Sequence, residues 1–384
     1  PPPAGSAAAP EVYPRPVGLC KRHLDDIENL DLQQSLDLIL TPELFDEPVN
    51  NYYHQLSDSD YKDIYTSDDV PPGEQFINRA YADNDLEELE QFGHERYTAM
   101  ISWINQRIYK QETSIHWKLF VFLHNLVPTR CFELGHKAAF LYIKLLFESC
   151  FNSYKDFIYD VTLDPSMLDF LNLALSQKDT PDENYAREVQ ELFTVGKRPF
   201  AKFTEKDVRE IARALVGWTY DYEKLVFSEG TDPHVFFEGY NHDTGDKEFS
   251  SFYNNQTIRG KSGDDGQQEL QEVVDMLFNT EESGIYLCRR LYQFFVYPVL
   301  TPEIESQIIA PLAQVFKDND HSLIAVLREL LGSEHFFDAA IPNSIIKSPI
   351  EYNMGMLKEL QITSGYRTYW DCLLYTSPSP RDLY

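Results

Sequence analysis

Residues 180–218 read TPDENYAREVQELFTVGKRPFAKFTEKDVREIARALVGW, and this stretch decides the fold. It carries start and stop signals for two helices. Thr180 stands where an N-cap stands, Pro181 suits the first helical position, and Glu183 follows the cap by three residues as in a capping box. Gly196, able to take a left-handed C′ conformation, marks the stop. Between them Tyr185, Ala186, Val189, Leu192 and Phe193 recur at the spacing of one helical face. Thr204 and Asp207 repeat the box, and Val208, Ile211, Ala212, Leu215 and Val216 give the second helix its inward face. The pattern predicts an αα-hairpin. Glu188 falls at the edge of the first apolar face, where a carboxylate is partly desolvated and its pKa rises unless it finds a partner. Arg187 has Glu183 and Glu191 each one turn away, and pairing with either is its plain structural role.

Composition bounds the rest. Glycine is sparse (17) while Phe (25) and Tyr (24) are abundant in 384 residues, which fits a helical protein with a substantial core. Sixty-two acidic against 33 basic residues give a net charge of −29, and that excludes sequence-independent binding to nucleic acid or to an anionic membrane. No apolar run approaches the roughly 20 residues that span a bilayer. The longest, Leu119 to Val127, is interrupted by His124 and Asn125. Cys20, Cys131, Cys150, Cys288 and Cys372 form no C-x-x-C pair, so the usual zinc-knuckle spacing is absent and all five read as buried thiols. No H-E-x-x-H, G-x-S-x-G or G-x-G-x-x-G occurs. Gly260-Lys261-Ser262 does not end a phosphate loop, because Asn255 stands where its first Gly belongs.

Along the chain, residues 1–16 are Pro/Ala-rich and read as a disordered leader or linker. Residues 17–370 read as a single helical domain. Two short amphipathic helices are expected in Cys20–Leu40, and an acidic, solvated connection in Thr41–Gly73. Helices follow at Asp85–Lys110, Ser114–Val127, Glu133–Ser153 and Tyr154–Leu163, with another opening at Asp164. The second of these is apolar nearly all round and should be central. From Trp218 to Gly260 helical periodicity vanishes and short β-like runs appear at His234–Phe237 and Thr257–Arg259. This is read as an irregular or small-β excursion across one end of the bundle. Asp243 and Gly245 there suit a turn, whereas turn geometry gives no reason for His242 or Lys247. Helices resume at Gln267–Asn279, Glu281–Val296, Pro302–Lys317, Ser322–Leu331 and Pro349–Thr363. The last stretch, CLLYTSPSPRDLY, breaks the pattern and reads as an adapter-derived, non-native tail over residues 371–384. The chain does not open on Met, so a leader is expected to have been cut off or not captured. The fold class is mainly α: a multi-helix bundle built around a central αα-hairpin, with one irregular or small-β excursion.

PDENYAREVQELFTVG followed by FTEKDVREIARALVGW resembles the signature of the bacterial domain of unknown function 1800 family, in the form of its Bacteroidetes-type members. Asp182 replaces the usual Asn and Val216 the usual Thr. WKLFVFLHNLVPT resembles a second family element, with His124 and Asn125 matching and Leu126 in place of a second His. DPSML, CRRLYQFFVYP, SEHFFD and IKSPIEY resemble others, and His242, Asp243, Gly245 and Lys247 match a His-Asp-x-Gly-x-Lys pattern. The resemblance covers roughly Pro16 to Gly365. It implies a helical protein of the periplasm or cell envelope, with a sulfatase-like or phosphatase-like protein as partner, and it carries no settled activity.

Two functions follow. The first is a non-catalytic envelope scaffold or binding protein. The second is a hydrolase acting on sulfated or phosphorylated glycan-like substrates, with a divalent metal as its candidate cofactor. Its catalytic residues would be Glu188, Arg187, His124, His242 and Asp243, with Asn184, Tyr185, Asn125 and Lys247 binding substrate. For that, the excursion has to fold over the hairpin's end and bring His242 and Asp243 to Glu188 and Arg187, with His124 beneath. Glu188 would act as base or ligand, Arg187 would bind an anionic group, and the histidines would donate or coordinate. Leu126 removes a two-histidine metal pair. Core hydrogen bonding is the alternative role for His124.

Overall fold

Helix starts in this chain are written as caps. Asp31, Ser153, Asp164, Thr204, Asp221, Thr280, Ser322 and Ser348 each accept a hydrogen bond from a backbone N–H in the first turn that follows. Each satisfies a donor that has no partner within the helix. In the computed structural model the described residues are 21–48, 74–79, 86–338 and 345–362. The leader, most of the acidic connection and the tail read from the sequence lie outside them, as do Cys20 and Cys372.

Two short helices, α1 (Lys21–Ile27) and α2 (Leu32–Ile39), precede a long one, α3 (Leu86–Lys110). Next come α4 (His116–Leu126), α5 (His136–Ser149), α6 (Tyr154–Thr162) and α7 (Pro165–Phe170). α8 (Asn184–Glu188) and α9 (Glu205–Leu215) are the pair from the opening stretch. The excursion holds β1 (Trp218–Tyr220), α10 (Tyr222–Phe227), β2 (Val235–Phe237), β3 (Lys247–Glu248) and β4 (Thr257–Ile258). α11 (Gln268–Phe278), α12 (Glu281–Phe295), α13 (Pro302–Ile304), α14 (Ala310–Asp318), α15 (Leu323–Gly332) and α16 (Pro349–Glu359) follow. The described residues are 61% helical and form only two two-stranded sheets, so the fold is mainly α. One apolar cluster runs from Leu36 to Leu357. α4 is buried from His116 to Leu123, and its Lys118 reaches Glu351 of α16 at 2.8 Å. None of the described helices is long and apolar enough to cross a membrane.

The hairpin differs from its expected form at the first start signal. Thr180 is not a cap and Pro181 is not helical. Thr180 instead donates its amide to Gln177 O at 2.9 Å, and the Asp182 carboxylate accepts from Asn184 N at 2.8 Å. A carboxylate two residues ahead of the helix does what the threonine was expected to do. At Val189 the helix widens into a π-turn that lasts to Thr194. Its displaced carbonyls are taken by side chains: Gln190 Nε2 donates to Ala186 O (2.7 Å) and Thr194 Oγ1 donates to Val189 O (2.5 Å). Gly196, at φ +85°, ends it as expected. A second π-turn, Glu305–Ile309, interrupts the predicted Pro302–Lys317 helix. Neither widening leaves a mark on the 3.6-residue pattern.

α9 forms as read, with the Thr204–Asp207 box closed in both directions. Asp207 does more than cap. Its fully buried carboxylate accepts from Ser250 N and Ser250 Oγ, both at 2.7 Å, and so binds the excursion to the hairpin. Tyr253 adds a second tie by donating to Gln190 Oε1 at 2.8 Å. Within the excursion β1 pairs antiparallel with β2, Trp218 opposite Phe237, and β3 pairs with β4, Lys247 opposite Ile258. Gly217 takes φ +115° against the Phe237 ring, where a Cβ would collide. Cys131, Cys150 and Cys288 are buried free thiols.

Two outcomes follow for stability. Thr204→Ala should cost about 1 kcal/mol in denaturant unfolding, while Thr180→Ala should leave the midpoint unchanged. Asp164, buried at the start of α7, accepts from Ser166 N (2.9 Å) and Met167 N (3.2 Å). Burial outweighs these bonds and pushes its carboxyl up to about 7 from an ordinary 3.8. A raised acid binds its proton more tightly when folded. Its contribution is full below about pH 4 and is lost as pH rises through about 7. Asn caps as well as Asp, so Asp164→Asn should gain melting temperature relative to the parent between about pH 5 and pH 8. Parallel melting curves across that range check the sign.

Candidate functional site

The excursion is built on one carboxylate. Glu269, on α11, has its Oε2 2.6 Å from Lys247 Nζ and its Oε1 3.0 Å from His242 Nε2, and all three side chains are 0% exposed. Lys261 N also donates to Oε1, at 2.8 Å. The other ring nitrogen of His242, Nδ1, lies 2.7 Å from Val216 O. A carbonyl oxygen only accepts, so that nitrogen carries a hydrogen. Lys247 also donates to the carbonyl of Asp243. Gly266 packs directly on the His242 ring, where any Cβ would collide. Burial by itself would raise the Glu269 carboxyl. The bonds from His242, Lys247 and the Lys261 amide outweigh it and hold the pKa below its usual value.

Beside this centre, Arg213 of α9 grips Asp243 bidentately, Nε to Oδ2 at 2.8 Å and Nη2 to Oδ1 at 2.9 Å. Gly245 N donates to the same carboxylate at 2.8 Å. Desolvation works to raise Asp243, but the guanidinium and that amide win and hold it low. The hairpin residues form a separate group. Arg187 lies 3.1 Å from Glu183, 2.8 Å from Glu205 and 3.9 Å from Glu191. Glu188 is half-buried, and its Oε2 is buried without a hydrogen-bond partner. Desolvation first, then the charge of Glu191, raises its pKa. Tyr185 is a core residue whose hydroxyl meets Thr162 Oγ1 at 2.6 Å. Asn184 is exposed at the start of α8.

His124 and Asn125 are exposed near the end of α4. The His124 ring lies 6.3 Å from both Phe120 and Tyr142, and desolvation lowers its pKa. His124 is exposed and makes no core hydrogen bond among the described residues, so it is not the core histidine of the alternative reading.

The excursion thus does fold onto the hairpin, but through other residues than expected. His242, Asp243 and Lys247 come together around Glu269 and Arg213, while Arg187 and Glu188 sit among Glu183, Glu191 and Glu205. No hydrogen bond or ion pair among the described residues joins the two groups, and His124 bonds to neither. The shared cluster fails to form because nearer opposite charges take the histidine and the aspartate first. Among the described residues no group of three or more His, Cys, Asp or Glu is arranged to hold a metal ion. The sequence reading assigned no role to Glu269 or Arg213, and only a capping role to Asp207. Glu269 had a visible signal: it precedes Val273 and Met276 at helical spacing, an acid on a buried face.

Removing a buried charge strands its partners. Glu269→Ala should therefore cost about 3–5 kcal/mol in chemical unfolding and raise amide exchange across residues 242–261. The double change Glu269→Leu, Lys247→Met should recover much of that loss, since apolar groups of similar size need no partner. A double variant no more stable than Glu269→Ala would argue against the ion pair as the cause.

The sequence model of the family described as Protein of unknown function (DUF1800) matches residues 16–381. The match runs past Gly365, where recognisable motifs end, into the stretch read as a non-native tail. No curated protein and no solved structure matches the chain. The hairpin signature, the α4 element and the ion-paired excursion all lie inside the matched span, and the chain belongs to the family described as Protein of unknown function (DUF1800).

Proposed function

We propose that this protein is a binding scaffold of the cell envelope whose signature residues serve its stability rather than turnover. One observation carries the reading: the polar residues of the His-Asp-x-Gly-x-Lys motif are consumed internally, with His242, Lys247 and Glu269 all at 0% side-chain exposure. A general acid or base has to come within hydrogen-bond reach of substrate. These groups reach one another and the backbone around them. Arg187 is likewise held by three carboxylates, so an anionic ligand would compete with Glu183 and Glu205 for the guanidinium. His124 and Asn125, like Asn184, are signature residues left at the surface, and the end of α4 that carries the first two is the face proposed for a sulfatase-like or phosphatase-like partner.

The second reading, a hydrolase of sulfated or phosphorylated glycans, keeps one favourable observation. Glu188 Oε2 is buried without a partner, and its raised pKa suits a proton-transfer role. A polyanionic substrate, however, would approach a chain of net charge −29. A divalent cation could relieve that repulsion, but Glu188 and Glu191 supply only two side chains, and no third acidic, histidine or cysteine ligand joins them among the described residues. The donor set does not fit a resident metal.

The two readings separate in one pair of measurements. A photo-crosslinking residue at position 124 should give an adduct with a sulfatase-like or phosphatase-like envelope protein, and Asn125→Ala should reduce it severalfold at unchanged melting temperature. Release of sulfate or phosphate from glycans by the parent protein, lost in Glu188→Gln, would overturn the scaffold in favour of the hydrolase.

A further inference from the structure

Away from the ion-paired centre, the loop from α10 to β2 (SEGTDPH, residues 228–234) sets a serine, a histidine and an aspartate in the order of a catalytic relay. Ser228 caps the end of α10. His234 Nε2 lies 2.8 Å from Ser228 Oγ, and His234 Nδ1 lies 3.6 Å from Asp232 Oδ1. The chain reaches this arrangement through Gly230 at φ +88° and His234 itself at φ +50°. A left-handed histidine costs on the order of 1 kcal/mol, and such strain persists only where the surroundings enforce it. Here Asp232 enforces it, accepting the His234 backbone N–H at 2.6 Å while facing the ring with the same oxygen. Ser228 is half-buried, and the His234 side chain is 20% exposed. Neither side chain is fully enclosed.

We propose that Ser228, His234 and Asp232 form a nucleophilic site for acyl transfer from small, uncharged esters. This goes beyond the scaffold reading and rests on a different loop. At rest the Ser228 hydroxyl donates to Lys224 O and His234 Nε2–H donates to Oγ, so the reaction begins with a change of tautomer that moves the ring proton to Nδ1, on the Asp232 side, and a rotation of the hydroxyl hydrogen towards the freed Nε2. Oγ then attacks the ester carbonyl carbon as its proton passes to Nε2. The tetrahedral intermediate collapses, the bond to the leaving alkoxide breaks, and that oxygen takes the proton from His234. Water repeats the sequence on the acyl-serine, releasing the acid and restoring the hydroxyl. Asp232 stays ionised throughout and holds the ring. The oxyanion needs a donor, and hydrolases take one from the amide after the nucleophile. Here that amide belongs to the Ser228–Glu229 peptide, whose carbonyl accepts from the buried ammonium of Lys137. A hydrogen bond to the carbonyl polarises the peptide and strengthens its N–H as a donor.

The surroundings set the substrate class. Glu223, Glu229 and Asp232 are exposed on or beside the loop and repel anions. Tyr222 (41% exposed) and Phe236 (44%) stand on α10 and β2, the elements at either end of the loop, and offer aromatic surface to an aryl ester.

Full-length protein should hydrolyse p-nitrophenyl acetate and take a single fluorophosphonate adduct, located by mass spectrometry on Ser228. Ser228→Ala should abolish the adduct, and His234→Gln should lower both signals by about a hundredfold or more, the range of a lost general base. Asp232→Asn should lower the rate less while circular dichroism stays unchanged. If Ser228 and His234 only brace the loop, folded parent protein will stay unlabelled, or Ser228→Ala will hydrolyse the ester as fast as the parent. Either result overturns the proposal.

Discussion

A carboxylate at Glu269, taken wholly out of water, sets the terms for the region that carries the His-Asp-x-Gly-x-Lys motif. An isolated buried ion is far too costly to keep, so its neighbours have to supply charge and hydrogen bonds. Lys247 and His242 come from the excursion, and the Lys261 amide comes from the chain leading into α11. Val216 O, at the end of α9, anchors the far side of the imidazole. Three segments, the end of α9, the excursion and the start of α11, therefore converge on one point. Arg213 with Asp243 and Asp207 with Ser250 add ties from α9 to the same excursion. Ions add to the apolar anchors Trp218, Phe249, Tyr253 and Ile258 in holding this segment of short strands in one conformation.

Such a centre is weak evidence for stability gained, since an apolar cluster could hold the same elements with less desolvation. What it does impose is geometry. Buried charges accept few arrangements, whereas apolar side chains tolerate many. The motif His-Asp-x-Gly-x-Lys then reads physically: His242 and Lys247 meet one carboxylate, Asp243 meets Arg213, and Gly245 offers its amide where a Cβ would strike the guanidinium. The same logic holds at α4, where Lys118 is buried against Glu351. The exposed His124 and Asn125, and the Ser228 loop, lie outside these networks and are where chemistry with other molecules is open.

Fold class was legible because helical periodicity and caps are local. Thr204 and Asp207 announced α9, Gly196 announced the end of the hairpin's first helix, and the vanishing period after Trp218 announced the short strands. Thr180 misled because Ser/Thr followed by Pro and then Glu is a sufficient pattern for a box, yet Thr180 turns back onto Gln177 and the helix starts later, where Asp182 takes the Asn184 amide. The π-turns were invisible because one extra residue per turn is compensated by side-chain bonds from Gln190 and Thr194. The site was legible as a list of motif residues and illegible as a set of pairs. Sequence shows that His242 needs a partner, but not that Glu269, 27 residues later, is nearer than Glu188. The Ser228–Asp232–His234 order lay in plain view within seven residues. It carried no signal without the left-handed turn that closes it.

The account rests on Lys247 being an ion shut away from solvent, and amine reactivity measures that directly. Brief treatment of the native protein with acetic anhydride, read by mass spectrometry, should modify exposed lysines such as Lys224, whose side chain is 66% exposed. Lys247 should stay unmodified until the protein unfolds, because its side chain is 0% exposed and locked on Glu269. Acetylation of Lys247 at the rate of Lys224 in folded protein would contradict the buried ion pair and the arrangement built on it.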